Sequence, residues 1–210
     1  MAGDKEEAEI RTRRLLLRPL RLEDAPDVFL MRSSTAVMTF TWVSYSQYTT
    51  YNHDIDILCS SSTPETDVEQ SREWIAKCLE RPNCWNFSMK LLPRNIDDTL
   101  HKPRVIGVIG AIRTPEVGYM IHTDFWGEGY ASEALQAFMP VFFEHYSGKE
   151  RYDFAEAHVD PEHIPSRKVL EKAGFVLLEV RKQDFHSPTL GMRDTCIYRL
   201  ERPGKALEKN

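Results

Sequence analysis

The chain has few cysteines, and their arrangement matches neither a zinc site nor a disulfide framework. The four cysteines are Cys59, Cys78, Cys84 and Cys196, which form no CxxC pair and have no histidine at ligand spacing. They are therefore expected to be ordinary reduced thiols. No bound metal is expected either.

Long apolar runs are also missing from the sequence. No stretch approaches the roughly 20 apolar residues that a membrane-spanning helix requires. The opening residues 1–8 are charged and contain no apolar run, which excludes a secretory signal there. We therefore expect a protein of the cytoplasm, with the nucleus as the alternative compartment, and no membrane partner.

An excess of positive charge is likewise absent. The formal net charge is -5 and the sequence pI is about 5.8, which disfavours binding to a phosphate backbone and tolerates a cationic partner. A local basic cluster near the start alternates with apolar residues, which is typical of an outward strand face. Its members are Arg11, Arg13, Arg14, Arg18 and Arg21. No nucleic-acid partner is expected.

The composition is that of a globular domain. Hydrophobic residues make up 41% and charged residues 28% of the 210 residues, enough to bury a core, and no internal boundary or repeat is evident. We expect one domain over residues 10–201, with flexible ends at 1–9 and 202–210.

Helical and strand patterns alternate along that domain. The residue patterns predict strands at 15–20, 85–92, 105–112, 117–121, 154–159, 176–180 and 196–200. They predict helices at 22–32, 130–144 and 166–173, and another capped by Thr66 or Asp67 and stopped by Pro82. Periodic Trp74 and Trp85 are expected in the core. This mixture indicates an α/β or α+β domain with a central sheet.

Three segments lack a clear period and are predicted to be loops. Residues 41–64 contain Tyr45, Tyr48 and Tyr51, residues 184–194 contain His186, and residues 94–102 form the tip of a hairpin. Binding residues are common on such loops. We expect the first two to frame a binding pocket.

The most informative segment is a strand, a glycine turn and a helix start. Glu116-Val117-Gly118-Tyr119-Met120-Ile121 leads through Gly127 and Gly129 into a helical pattern. Such a junction converges backbone N–H groups on an anion, and glycine lets a pyrophosphate approach closely. A P-loop is excluded because no Gly-Lys-Ser/Thr follows, and Ser132 replaces the third glycine of a dinucleotide fold.

Two blocks of sequence resemble the GNAT family of acetyltransferases, in particular its RimJ/RimL-like branch. Residues 126–131 are similar to the family's acetyl-CoA pyrophosphate loop, Gln/Arg-x-x-Gly-x-Gly/Ala. Residues 160–175 resemble its Asn-x-x-Ser helix followed by Glu-Lys-x-Gly-Phe, and the resemblance extends over residues 10–201. It implies a single-domain GNAT fold, with a mixed and mostly antiparallel sheet of six to seven strands flanked by helices.

The resemblance also implies a donor and a set of binding residues. Acetyl-CoA would be the donor, with its pantetheine arm along the strand and its pyrophosphate on the glycine turn. The implied cofactor-binding residues are Tyr119, Met120, Ile121, Trp126, Gly127, Glu128, Gly129, Tyr130, Ala131, His163 and Ser166. Ser166 would also stabilise the leaving thiolate, and its position at a helix start equally suits an N-cap.

Three positions depart from the family pattern. Trp126 stands where Gln or Arg is usual, His163 where Asn is usual, and Leu170 where many members place a tyrosine that protonates the thiolate. Glu116 is the candidate general base, acting through water, and His122 is its rival. A solvated turn carboxylate and a structural histidine are the respective alternatives.

The sequence therefore predicts an N-acetyltransferase that moves acetyl from acetyl-CoA to a primary amine. The acceptor would be a small molecule or a protein N-terminus. The alternative is a GNAT-fold module that binds CoA without turnover. A monomer and a homodimer remain equally open.

Overall fold

A computed structural model describes residues 8–40, 63–82, 84–92, 105–187 and 189–204. The strands are β1 (Ile10–Arg11), β2 (Leu15–Pro19), β3 (Trp85–Leu91), β4 (Val105–Arg113), β5 (Glu116–Ile121), β6 (Phe154–Val159), β7 (Val176–Ser187) and β8 (Gly191–Glu201). The helices are α1 (Ala25–Arg32), α2 (Thr35–Met38), α3 (Val68–Glu80), α4 (Tyr130–His145) and α5 (Ile164–Lys172). Short 3-10 turns occupy Leu22–Asp24, Thr123–Phe125 and Gly148–Glu150.

The strands form one mixed sheet in the order β1-β2-β3-β4-β5-β6-β8-β7. The β5–β6 pair is parallel and the other neighbours are antiparallel. The predicted fold class is therefore confirmed, with eight strands in place of six to seven. The additional strand is β1, which has only two residues and is therefore too short to show an alternating pattern of apolar and polar residues.

Helices cover both faces of this sheet. The larger core contains the aromatic side of α4, where Phe138 and Phe142 are fully buried, and Trp85 and Phe87 of β3 pack there too. The smaller core joins α1 and α3 to β4, with Val28 and Ile75 fully buried. Both layers hold the central strands β4 and β5 in place.

The N-cap of α3 is one of the two predicted residues. The Asp67 carboxylate accepts hydrogen bonds from the N–H groups of Glu69 and Gln70, and α3 ends before Pro82. Trp85 is in the core as predicted. Trp74 packs against the smaller core, and the Arg32 guanidinium lies over its ring.

The prediction of an outward basic face is wrong for Arg18. Its side chain is buried and pairs with the buried carboxylate of Asp24, at 2.9 Å and 2.5 Å. Ser88 and the N–H of Arg21 also donate to this carboxylate. Four donors therefore satisfy one buried charge, which links β2 and β3 to the start of α1.

Two other predicted elements are corrected. Helix α5 begins at Ile164 with His163 as its N-cap, so Ser166 is not the N-cap. Pro165 lies in the first turn, where a missing N–H is harmless. Residues 184–194 belong largely to β7 and β8, since His186 pairs with Met192 across the hairpin. Register shifts in β7 and the positive φ of Gln183 interrupt the alternation that would have indicated a long strand.

Some predictions fall outside the described residues. These are Tyr45, Tyr48 and Tyr51 in the 41–64 segment, the 94–102 hairpin tip, Cys59 and most of the chain ends. In the described part, Cys78, Cys84 and Cys196 are buried thiols, and no cluster of metal-ligating side chains occurs. None of the described helices combines the length and apolarity needed to cross a bilayer.

Candidate functional site

The centre of the sheet opens between two parallel strands. In the described chain, β5 and β6 share a single register pair, Glu116↔Glu156, where the Glu156 N–H donates to the Pro115 carbonyl at 3.0 Å. Beyond that pair the strands separate. We call the space between residues 119–121 of β5 and residues 157–159 of β6 the β5–β6 gap.

Backbone donors of β5 point into this gap. The His122 N–H donates to the Ile106 carbonyl of β4 at 2.9 Å, which makes these two residues a hydrogen-bonded pair. Because such pairs alternate along antiparallel strands, Tyr119 and Ile121 turn their N–H and C=O groups away from β4. The Trp126 indole accordingly donates to the Ile121 carbonyl at 2.7 Å. The tryptophan at this position thus satisfies a backbone acceptor beside the gap.

The glycine turn sits at the start of the 16-residue helix α4. Gly127 and Gly129 have φ of 79° and 80°, and Gly129 is the helix N-cap. Only glycine adopts this conformation without strain. The first N–H groups of a helix have no intrahelical acceptor, so this turn presents donors and a positive dipole end to an anion.

Arg14 holds the glycine turn from the side. Its guanidinium bonds the Glu133 carboxylate at 2.6 Å and the Glu128 carbonyl at 2.9 Å, and it lies 4.3 Å from the centre of the Tyr130 ring. Thr12 donates to the same Glu133 carboxylate at 2.6 Å. Two residues before β2 therefore fix the shape of a turn more than 100 residues away in sequence.

These contacts change the ionisation of Glu133. Burial alone would raise the pKa of Glu133, but hydrogen bonds from Thr12 and Arg14 outweigh it and hold the pKa below its usual range. A carboxylate with a lowered pKa stabilises the fold above its unfolded pKa, and that stability is lost as pH falls through the folded pKa. The support of the turn is therefore complete at neutral pH.

We expect Glu133→Gln to weaken CoA binding about tenfold, the loss of about one charge-assisted hydrogen bond. Arg14 would no longer hold the turn in one shape. Calorimetric titration with CoA at neutral pH measures the effect. Glu144→Gln is the matched control, because Glu144 is an exposed residue of the same helix. Equal affinities in the two variants would contradict this role of Glu133.

Ser166 lies against Tyr119 at the edge of the gap. The Tyr119 hydroxyl is 2.8 Å from Ser166 Oγ and 3.1 Å from the Ser166 carbonyl oxygen. Burial raises the pKa of Tyr119 above its usual range, and the contact with Ser166 offsets only part of this. Met120, the next residue in β5, packs against the opposite core.

His163 is stacked on an aromatic ring from another element. The rings of His163 and Phe40 are 4.4 Å apart and inclined by 9°. Burial lowers the pKa of His163, with a smaller opposing effect from the Asp160 carboxylate. The imidazole is therefore neutral at pH 7, with one N–H to donate and one nitrogen to accept.

Glu116 lies at the closed end of the gap within a row of ionisable side chains. Its carboxylate bonds the Arg113 guanidinium at 2.6 Å, and its other oxygen is 3.9 Å from Nδ1 of His158. The other ring nitrogen of His158 is 3.7 Å from Glu156, which pairs with Arg199 at 2.6 Å. The carboxylate is thus not the solvated turn residue that the sequence left as an alternative.

His122 has a structural contact that competes with a role as base. Its Nδ1 accepts the Asp124 N–H at 3.2 Å and caps the 3-10 turn. A neutral ring that accepts at Nδ1 carries its proton on Nε2, which leaves no second lone pair for an incoming proton. This geometry favours the structural interpretation of His122.

A buried ion pair ties the β7–β8 hairpin to the turn before α5. The Asp160 carboxylate is bonded by Arg193 at 2.7 Å and 2.9 Å and by the Glu162 N–H at 2.8 Å. Asp160 is 1% exposed. The hairpin and the helix that carries Ser166 are therefore fixed to each other.

Sequence reasoning missed several of these contacts. The sequence predicted a binding role for the backbone of Tyr119 but none for its hydroxyl. It predicted only an outward basic face for Arg14. It gave no role to His158, although a histidine next to an apolar strand pattern could have been noted. The Phe40 stack had no signal in the sequence.

Two comparisons relate this chain to known sequences. A sequence model described as an acetyltransferase (GNAT) domain matches residues 14–176. The uncharacterized N-acetyltransferase p20 of Bacillus licheniformis is 30% identical over 173 residues, which is 78% of this chain and 80% of that protein.

Solved structures share the fold at low identity. An acetyltransferase (GNAT family) from Bacillus anthracis is 22% identical, covers 92% of this chain and 98% of its own, and gives a TM-score of 0.66. RimL, a ribosomal alpha-N-protein acetyltransferase in complex with coenzyme A, is 16% identical, with coverage of 92% and 98% and a TM-score of 0.69.

Proposed function

This chain belongs to the GNAT acetyltransferase family, and from that premise we propose that it transfers acetyl from acetyl-CoA to a primary amine. The acceptor is a small-molecule amine or a protein N-terminus. The observation that carries the proposal is the β5–β6 gap with backbone donors on one side and the glycine turn at its end.

The residues at this site fit acetyl-CoA. The N–H groups of Tyr119 and Ile121, which face away from β4, suit an amide-bearing arm that lies along β5, and the first turn of α4 suits a pyrophosphate. A Cβ at Gly127 would meet nothing within 4 Å, so the turn is open to a ligand. Trp126 contributes an indole ring in place of the family's side-chain contact to phosphate.

When bound, acetyl-CoA supplies an activated thioester carbonyl and a thiolate leaving group. The Tyr119 N–H is the donor placed to stabilise negative charge on that carbonyl oxygen, because it faces the gap and is already fixed by β5. Ser166 would donate a hydrogen bond to the sulfur, and His163 would donate to the arm of the bound acetyl-CoA.

Glu116 is the proposed general base, acting through water. Its carboxylate is held in place by the Arg113 guanidinium at 2.6 Å, and a carboxylate is a weak base compared with an amine. A weak base is enough to deprotonate an α-amine, whose pKa is about 8. It is much less effective with a lysine, whose pKa is about 10.4. A carboxylate base therefore fits an α-amine acceptor better than a lysine side chain.

The proposal is tested by thiol release from acetyl-CoA over a panel of amines. The panel contains peptides with free N-termini, amino acids, polyamines and aminoglycosides, and CoA binding is measured first. Acceptor-dependent thiol release is expected. Binding of CoA without release for any amine would favour the alternative, a module that binds CoA without turnover, which the departures at Trp126, His163 and Leu170 motivate.

We expect His163→Asn to preserve CoA affinity within about threefold, because asparagine retains a donor where the ring N–H lies. Loss of the Phe40 stack should lower stability by about 0.5–1.5 kcal/mol. Titration with CoA and denaturant unfolding measure the two effects. The control is His186→Asn, an exposed position of β7, which should change neither. A large loss of affinity at position 163 would show that the imidazole itself is required.

A further inference from the structure

Two hydroxyl groups meet at the edge of the β5–β6 gap without a charged group between them. Tyr119 reaches from β5 to Ser166 in the first turn of α5, at 2.8 Å between the hydroxyl oxygens. Among the residues that the structure describes, Tyr119 is the sole hydrogen-bond partner of the Ser166 hydroxyl. The Tyr119 hydroxyl has a second acceptor in reach, the Ser166 carbonyl oxygen at 3.1 Å.

This geometry permits two arrangements of the hydrogens. In one, Ser166 donates to Tyr119 and Tyr119 donates to the carbonyl oxygen. In the other, Tyr119 donates to Ser166 Oγ, and the Ser166 hydrogen is free to turn elsewhere. The first arrangement bonds both hydroxyl hydrogens within the pair. The second does so when another acceptor lies beside Ser166.

We propose that Tyr119 is a positioning residue that donates to Ser166 Oγ and so turns the Ser166 hydrogen toward the sulfur of the bound donor. This inference rests on the proposed function, in which the sulfur leaves beside Ser166. Leu170, one turn further along α5, is a buried aliphatic residue and offers no hydrogen-bond donor. The second hydroxyl of the site comes instead from the sheet.

The proton balance of the step is simple. The amine nitrogen forms a bond to the acetyl carbon, the C–S bond breaks with its electron pair left on sulfur, and the amine proton passes to water. A thiol with a pKa of about 8.5 is a stronger acid than tyrosine at about 10. Neither hydroxyl therefore needs to lose its proton, and both act as hydrogen-bond donors. Burial of Tyr119 keeps the phenol protonated.

The test measures ionisation of the CoA thiol in the binary complex with the protein. Thiolate absorbance is followed against pH, with desulfo-CoA as the blank, for wild type, Tyr119→Phe, Ser166→Ala and the double variant. We expect the acid ionisation constant of the bound thiol to fall about tenfold in each single variant, about one hydrogen bond to a charged group. The double variant should fall no further, because Tyr119 acts through Ser166.

Tyr152→Phe is the matched control. Its hydroxyl also contacts one other hydroxyl, that of Thr114 at 3.0 Å, in the turn between β4 and β5. This substitution should leave the ionisation constant of the bound thiol unchanged. In turnover with the best amine of the panel, Tyr119→Phe should lower kcat about tenfold with KM for acetyl-CoA within about twofold.

Each other outcome has a defined meaning. The positioning role is overturned, while the proposed function stands, if the ionisation constant of the bound thiol is unchanged in Tyr119→Phe. Additive effects of the two substitutions in the double variant have the same meaning. If the ionisation constant of the bound thiol changes as expected but no amine is acetylated, the positioning role is supported and the proposed transferase activity is overturned. Absence of CoA binding by wild type overturns both. If Tyr119→Phe does not fold, Ser166→Ala alone still tests the proposal. An unchanged ionisation constant of the bound thiol in Ser166→Ala would then refute it.

Discussion

Replacement of Gly129 by valine is expected to reduce CoA affinity by at least about 100-fold, or about 2.7 kcal/mol. Gly129 has a φ of 80°, which a β-branched residue adopts only at a cost of about 1–3 kcal/mol. The turn would relieve that strain by moving its N–H groups away from the ligand. Steric contact is a minor factor, because a Cβ there would lie 3.6 Å from Arg14.

Gly148→Val separates this effect from a general loss of stability. Gly148 also has a positive φ, of 66°, and a Cβ there would meet nothing within 4 Å. It should therefore suffer similar backbone strain in a turn remote from the gap. Calorimetric titration of both folded variants with CoA measures the difference. Unchanged affinity in Gly129→Val would remove the glycine turn from the proposed binding site.

Glu116→Gln is expected to lower turnover by about 10² to 10⁴ and leave acetyl-CoA affinity nearly intact. The amide cannot accept the amine proton through water. The remaining rate of the variant should still rise with pH as the amine acceptor loses its proton.

The matched control is Glu156→Gln. Glu156 is the register partner of Glu116, shares His158 as a neighbour and pairs with Arg199, so this variant also removes one negative charge from the same row. If loss of charge in the row were the cause, both variants would lose turnover equally. Full activity of folded Glu116→Gln would eliminate its role and favour deprotonation by solvent or by His122.

The fold was largely predictable because its signals are local. The strand, glycine turn and helix around residues 116–145 follow periodicity and turn chemistry, and the predicted end of the helix at 144 is one residue from that of α4. The β7–β8 hairpin was not predictable in full. Its register shifts break the period of two on which strand prediction depends.

The site was predictable only in part because its contacts are distant in sequence. The backbone of β5 and the glycine turn follow from one motif. The hold of Arg14 on Glu133 joins residues 119 positions apart, and the Tyr119 hydroxyl meets Ser166 across 47 positions. No local pattern encodes such pairs. The position of His163 was found through a resemblance, but its stack on Phe40 was not.

The buried pair of Asp160 and Arg193 also bears on how this architecture can diversify. The β7–β8 hairpin meets the turn before α5 through this bidentate contact, and Arg193 also reaches Glu162 at 2.7 Å. The tip of the hairpin lies beyond Arg193, whereas β8 continues as an internal strand of the sheet and carries Cys196 and Tyr198 into the larger core. The tip of the hairpin can thus vary while this ion pair, the pairing of β8 with β6 and the bonds of Tyr198 to α5 keep its base fixed.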